Sequence, residues 1–302
     1  MSQAVPVRYR SHDEDSARWN GFRFREGDIV ISTRSKSGTT WMQTICALLV
    51  FGTPELPQPL ADLSPWLDWL VEPRDEVVAR LEGQQHRRFI KTHTPLDGIP
   101  IDPRATYIVV ARHPLDLAVS LYHQGGNIDR ARLRELTGED PNAPDPPRPE
   151  LVDWLRAWIA WDGDRHLQMD SLPGVMWHIG DAWARVVAGA DNVVLVHYDQ
   201  LLGERDATMR GLAARLGFPV DEATWPALVR AAGFEAMQQN AERLIPASNG
   251  ILKDANAFFR RGVSGAGRAT LSTDELAAYH DRAAQLAAAD VLRWLHHDGY
   301  DT

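Results

Sequence analysis

Lys36, Ser37, Gly38, Thr39 and Thr40 stand between an apolar run and a helical one in IVISTRSKSGTTWMQTICALLVF, residues 29–51, and that order makes an anion site. Backbone N–H groups in the first turn of a helix lack partners within it and carry the positive end of its dipole, so they take phosphate oxygens. Gly38 permits a tight turn and a close backbone approach, Thr39 and Thr40 add hydroxyl donors, and Lys36 adds a point charge. A Walker loop sets its lysine after the last glycine, as GK[ST], whereas Lys36 precedes Gly38; an ordinary ATP or GTP site is disfavoured. The plainer alternative is a capped strand-to-helix turn with an incidental lysine.

Three more blocks bring charge to the ends of apolar or irregular segments. In RRFIKTHTPLDGIP, residues 87–100, Lys91 and His93 are two apart, hence on one side of an extended strand. Imidazole titrates near working pH, which makes His93 a candidate general base for a hydroxyl, a strand-end hydrogen bond being the alternative. In TYIVVARHPLDLAVSLYH, residues 106–123, Arg112 ends the apolar run, Pro114 opens a helix, and Asp116 and Ser120 follow on it. An Arg112–Asp116 ion pair at the helix start is compatible with a binding role. FFRRGVSGAGR, residues 258–268, sets Arg260 and Arg261 beside Gly262 in a stretch without helical period.

In this order and spacing the blocks resemble the family of PAPS-dependent, cytosolic-type sulfotransferases, PAPS being 3′-phosphoadenosine 5′-phosphosulfate. Lys36 to Trp41 match the family's PKSGTTW loop, with Arg34-Ser35 where the family often has Tyr-Pro. The resemblance implies that Lys36 contacts the 5′-phosphosulfate bridge, that the loop amides from Ser37 to Thr40 hold the 5′-phosphate, and that Trp41 packs on adenine. It implies that His93, in KTH, is the catalytic base, with Lys91 on the sulfuryl oxygens. Arg112, Asp116 and Ser120 fit the family's RxxxDxxxS block, which implies a 3′-phosphate site of Arg112 and Ser120. Arg260, Arg261 and Gly262 resemble the RKGxxGDWK clasp over the same phosphate, arginine replacing lysine, and Tyr198 stands where the family has an adenine-contacting tyrosine.

Two departures carry expectations. Ala232-Gly233 replace a Thr-Ser pair before Phe234, removing a hydroxyl, so weaker PAPS binding is expected although Met237 agrees. Ala266 and Gly267 replace Asp-Trp, so a more flexible clasp is expected. Through strings such as SPWLDWL and QQHRRFIKTHTPLDG the layout is closest to bacterial members that sulfate glycolipids. The resemblance thus implies transfer of a sulfuryl group from PAPS to a hydroxyl of a small-molecule or lipid-like acceptor (alcohol, phenol or glycolipid), leaving PAP, in line and without a metal. The rival readings are a nucleotide kinase with an atypical loop and a non-catalytic module that retains PAPS or PAP.

The elements that must position these residues are legible as short apolar strands over 28–33, 88–93, 106–112 and 192–198, alternating with helical periods over 39–51, 114–124, 177–188 and 201–216. Alternation predicts an α/β fold: a P-loop-like parallel sheet flanked by helices on both faces, in a single domain over residues 1–302. TGEDPNAPDPPRP, residues 137–149, holds five prolines and marks an exposed loop insertion near 125–150. The Ala- and Leu-rich tail over 273–297 predicts a terminal helix with Ser272 or Thr273 as cap. Trp154 to Trp161 is read as a core or lid contact, while Trp66, Trp69 and Tyr122 are candidates for an apolar acceptor pocket.

Composition bounds the rest. A net charge of -9 argues against broad nucleic-acid binding but allows a local cationic pocket. One cysteine, Cys46, excludes an internal disulfide and any multi-cysteine metal site, and is read as a packing residue. His296 and His297 are read as surface residues and no metal site is expected. No apolar stretch is long enough for a transmembrane helix, and residues 1–10 lack the core of a signal peptide, so a cytoplasmic protein without integral membrane association is expected. The family's dimerisation string is poorly kept over 268–277, which leaves the oligomeric state open, a homodimer being one option.

Overall fold

Along the central strands, successive residues pack into two separate apolar cores. Val30, Ile90, Tyr107 and Val109 belong to one; Ile29, Ile31, Phe89, Ile108 and Val110 belong to the other. A strand buried on both faces needs apolar residues at every position, which is why these segments read as unbroken runs. In the computed structural model, which describes residues 5–245 and 250–297, the runs form a parallel sheet in the order β2-β1-β3-β4. The strands are β1 (Ile29–Thr33), β2 (Phe89–Thr92), β3 (Thr106–Ala111) and β4 (Val193–His197). Val30 pairs with Ile90 on one side and Tyr107 on the other, and Val110 with Val196.

Helices cover both faces. Thr39–Phe51 and Arg205–Leu216 pack in the core with Ile29 and Ile31; Pro114–Asn127, Leu151–Ala160, Leu172–Val187 and Thr273–Leu286 pack in the core with Val30. Cys46 is buried in the core of Ile29 and Ile31, where burial pushes its thiol up to about 12, so it packs as a small apolar group. The connection after β1 leads to one side of the sheet and the connection after β3 to the other. The crevice between their carboxyl ends is therefore the topological switch point where open α/β sheets collect ligands. No helix among the described residues is long and apolar enough to cross a membrane.

The structure redraws several boundaries. The period over 201–216 is two helices, Tyr198–Gly203 and Arg205–Leu216, because Gly203 weakens the helix and a capping box of His197 and Gln200 starts the first one early. The helix read over 177–188 begins at Leu172, capped by the Ser171 side chain. The tail breaks at Ala287, extended at φ -145°, into Thr273–Leu286 and Ala289–His296. The break returns His296 to Tyr279, whose hydroxyl lies 2.8 Å from Nε2, so burial outweighs the helix propensity of alanine. His296 is accordingly buried and not a surface residue, while His297 is exposed.

Within 125–150 the long irregular stretch is 138–150; Pro114–Asn127 and Arg130–Thr137 are helices joined through Ile128 and Asp129, the latter capping the second. Trp154 and Trp158 pack with the core on Val30's side of the sheet.

Candidate active site

The residue after each strand points to one place. Arg34 follows β1, His93 follows β2, Arg112 follows β3 and Tyr198 follows β4, and all four line a single cavity of about 480 Å³. Of the residues singled out by sequence, Lys36, Gly38, Thr39, Thr40 and Trp41 join them on its wall, as do Lys91 and Ser120. Arg260, Arg261 and Gly262 close it from the C-terminal part of the chain. Ser37 is buried off the wall and its N–H donates to the Arg34 carbonyl oxygen at 3.1 Å.

The turn after β1 is built by two left-handed residues, Lys36 at φ 64° and Gly38 at φ 107°. A side chain at Gly38 would strain the backbone and bring its Cβ to 3.1 Å from the Tyr198 ring, so the turn needs glycine. The turn sets the start of the helix Thr39–Phe51 on the cavity wall. The Thr39 hydroxyl is hydrogen-bonded to the Thr33 hydroxyl. Lys36 Nζ lies 3.6 Å from the centre of the Phe258 ring and 3.3 Å from Gln124 Oε1. Burial first, then the Arg112, Lys91 and Arg260 charges, lower its pKa to about 7. Trp41 donates its Nε1–H to the Ala232 carbonyl oxygen at 2.8 Å and meets Tyr198 edge to face. Phe234 and Met237 line the cavity while Ala232 and Gly233 do not, so the departure from Thr-Ser lies off the wall.

His93 is buried with its Nδ1–H donated to the Thr33 carbonyl oxygen. A carbonyl only accepts, so Nδ1 carries the proton and Nε2 holds the lone pair. Burial, then Lys91 and Arg34, push its pKa well below the usual histidine range, which keeps the imidazole neutral. Lys91 Nζ sits 3.6 Å from the centre of the Trp66 ring, and burial lowers its pKa to about 8. Arg34 escaped the sequence reading as a site residue. Its guanidinium is buried, donates to the His93 carbonyl oxygen, and is 2.7 Å from Asp170 Oδ1. The one signal available was its place directly after an apolar strand.

Arg112 donates to the carbonyl oxygens of Lys36 (3.3 Å) and Val263 (3.2 Å), lies over the Tyr198 ring at 4.3 Å, and keeps a buried Nε without a hydrogen-bond partner. Asp116 does not pair with it. Its carboxylate accepts the N–H groups of Gly265 and Gly267, each at 2.7 Å, and so ties the arginine clasp to the helix that carries Ser120. The Ala-Gly pair, where a more flexible clasp is expected, does not lie in an irregular stretch. Ala266–Thr270 is a short helix, and a Cβ on Gly267 would fall 2.4 Å from Leu115 Cβ, so the glycine is there for close packing.

Beyond His93 the wall changes character. Trp66 and Trp69 line it, as expected, stacked at 4.9 Å and 6°. Tyr122 is not on this wall: its hydroxyl donates to the Pro149 carbonyl oxygen at 2.9 Å, fastening the proline-rich stretch to its helix. Asp13, Glu14 and Asp170 complete this end together with Ile128, Leu133 and Ile251. They come from separate parts of the chain, and no motif in the sequence joins them. No group of His, Cys, Asp and Glu suited to a metal ion occurs among the described residues.

The profile of the sulfotransferase domain family matches residues 26–291. A glycolipid sulfotransferase of Mycobacterium bovis (BCG) is 39% identical over 98% of this chain and 96% of its own length. Human sulfotransferase 2B1 is 28% identical, over 86% of this chain and 66% of its own. Among solved structures, retinol dehydratase in complex with androsterone and the inactive cofactor PAP matches with a TM-score of 0.68 at 19% identity, covering 89% of this chain and 82% of that one. Mouse sulfotransferase SULT7A1 complexed with PAP matches with a TM-score of 0.66 at 20% identity, covering 93% and 92%. At such identities the structural likeness is one of fold.

Proposed function

This chain belongs to the sulfotransferase family, and from that premise we propose that it moves a sulfuryl group from PAPS to a hydroxyl of a lipid-like acceptor, with His93 as general base. The observation that carries the reading is convergence: the glycine turn at Gly38, His93 and Arg112 line one cavity.

His93 Nε2 takes the proton of the acceptor hydroxyl as its oxygen attacks sulfur; the bond between sulfur and the bridging oxygen breaks, and the electron pair leaves with the 5′-phosphate of PAP. Lys36 neutralises that leaving oxygen and Lys91 steadies the sulfuryl oxygens. Arg112, Ser120, Arg260 and Arg261 grip the 3′-phosphate, while Trp41 and Tyr198 flank the adenine. Transfer of this kind rests on position and charge stabilisation, and cations and amides supply the positive field here, so the reading uses no metal. The mycobacterial relatives named for glycolipids favour an amphiphilic hydroxyl over a small phenol as acceptor.

The test is incubation with ³⁵S-labelled PAPS and a panel of alkyl glycosides, long-chain alcohols and phenols. Wild type is expected to label at least one amphiphile, and His93→Ala to bind PAP without transferring. Equal transfer by the two proteins removes His93 as base; tight PAP binding with no transfer by wild type to any acceptor favours a non-catalytic module.

A further inference from the structure

The far end of the cavity does more than leave room. Residues 10–15 are laid against the segment around Trp69 by backbone contacts: Leu70 N–H donates to the Asp13 carbonyl oxygen at 2.8 Å, Asp15 N–H to that of Asp68 at 2.9 Å, and Glu14 forms an antiparallel bridge with Trp69. Glu14 is thereby fixed on the cavity wall at 5% exposure. Its Oε2 has no hydrogen-bond partner, and Arg34, at 3.8 Å, directs its hydrogen bonds to Asp170 and the His93 carbonyl oxygen. A buried oxygen left in this way is stabilised by any ligand that brings it a donor.

Burial first, then the Asp13, Asp68 and Asp170 charges, push the Glu14 carboxyl well above the usual range, against the pull of Arg34. The shift favours the protonated carboxyl, which both donates and accepts and so suits hydroxyls better than a second cation. Beside it are the stacked indoles, Trp66 with its edge contact to His93 at 4.6 Å and Trp69 packed with Leu133 and Ile251. Trp66 carries Trp69 on one face and the Lys91 ammonium on the other, so it offers this end its buried Nε1–H, which has no hydrogen-bond partner, beside the Glu14 carboxyl; such a pair fits a group that presents several hydroxyls. The apolar patch of Ile128, Leu133 and Ile251 continues from Trp69 and fits an alkyl tail.

Resting on the transferase reading, we propose that Glu14, with Trp66 and Trp69, forms a subsite for a sugar-like polyhydroxyl group of the acceptor. Glu14 is in this role a specificity-determining residue, holding a hydroxyl other than the one that receives the sulfuryl group.

The experiment compares sulfation of octyl β-glucoside and of 1-octanol by wild type, Glu14→Leu and Glu14→Gln. Glu14→Leu is expected to raise KM for the glucoside about tenfold or more, leaving KM for 1-octanol and the affinity for PAP within about twofold. Glu14→Gln, which keeps a donor and an acceptor in the same shape, is expected to stay within about threefold of wild type on the glucoside. Equal losses on both acceptors, or no loss on the glucoside, overturn the proposal.

Should Glu14→Leu not fold, wild type alone still decides: KM for the glucoside at least about tenfold below that for 1-octanol supports the subsite, and the reverse order sinks it. If wild type transfers to neither acceptor, the transferase reading fails separately. Calorimetric titration of octyl β-glucoside into PAP-loaded wild type and Glu14→Gln then tests the subsite, similar measurable affinities supporting it and no binding overturning it.

Discussion

Around Lys36 the cavity sets cations against rings and carbonyl oxygens: Lys36 over Phe258 and Arg112 over Tyr198. Around Glu14 it gathers carboxyls, with Asp13 and Asp170 on the same wall and Arg34 among them. Desolvation pushes both ends toward neutral forms, Lys36 to about 7 and Glu14 well above the carboxylate range. The remedies differ. A polyanion would restore charge to Lys36, whereas a hydroxyl would bring Glu14 Oε2 the donor it lacks. One end is therefore built to draw binding energy from charge and the other from hydrogen bonds and apolar contact.

The largest expected effect falls where the two ends meet. His93→Ala should lower kcat by about 10²–10⁴-fold, the contribution usual for a positioned base, with PAP affinity unchanged in calorimetry. A parallel loss of PAP affinity would mean that His93 belongs to the nucleotide end. Next, Arg112→Ala removes a charged donor from that end and should weaken PAP by about 10–100-fold, corresponding to ~1.5–3 kcal/mol, while KM for the acceptor moves little. A comparable rise in acceptor KM would erase the division.

The third test is pH. The Lys36 pKa is lowered to about 7, and a bound anion favours its charged form, so PAP binding takes up protons. Affinity should be flat below about 7 and fall by up to about tenfold per pH unit above it, until the bound-state pKa is reached. Binding enthalpies in buffers of different ionisation heat, measured near pH 8, count the proton directly. The smallest effect is on the scaffold. Gly267→Ala, with its Cβ against Leu115, should cost about 1–3 kcal/mol and lower Tm by a few degrees, with a modest loss of PAP affinity. A variant as stable as wild type would show that the clasp has room.

The amino-acid sequence by itself determined the parallel sheet, because strands buried on both faces must be apolar at every position, and the cationic end, because turn, strand end and helix start require particular residues at fixed short spacing. Lys36 through Trp41, Arg112 with Ser120, and Arg260 with Arg261 are each local in the chain. Only the tertiary structure decided the rest. Arg34 beneath His93, Glu14 against Trp69, Asp116 holding the amides of Gly265 and Gly267, and the burial of His296 all join segments far apart in the chain. Such contacts follow from which surfaces pack together, so no local spacing announces them, and the Glu14 end of the cavity consists almost wholly of contacts of that kind.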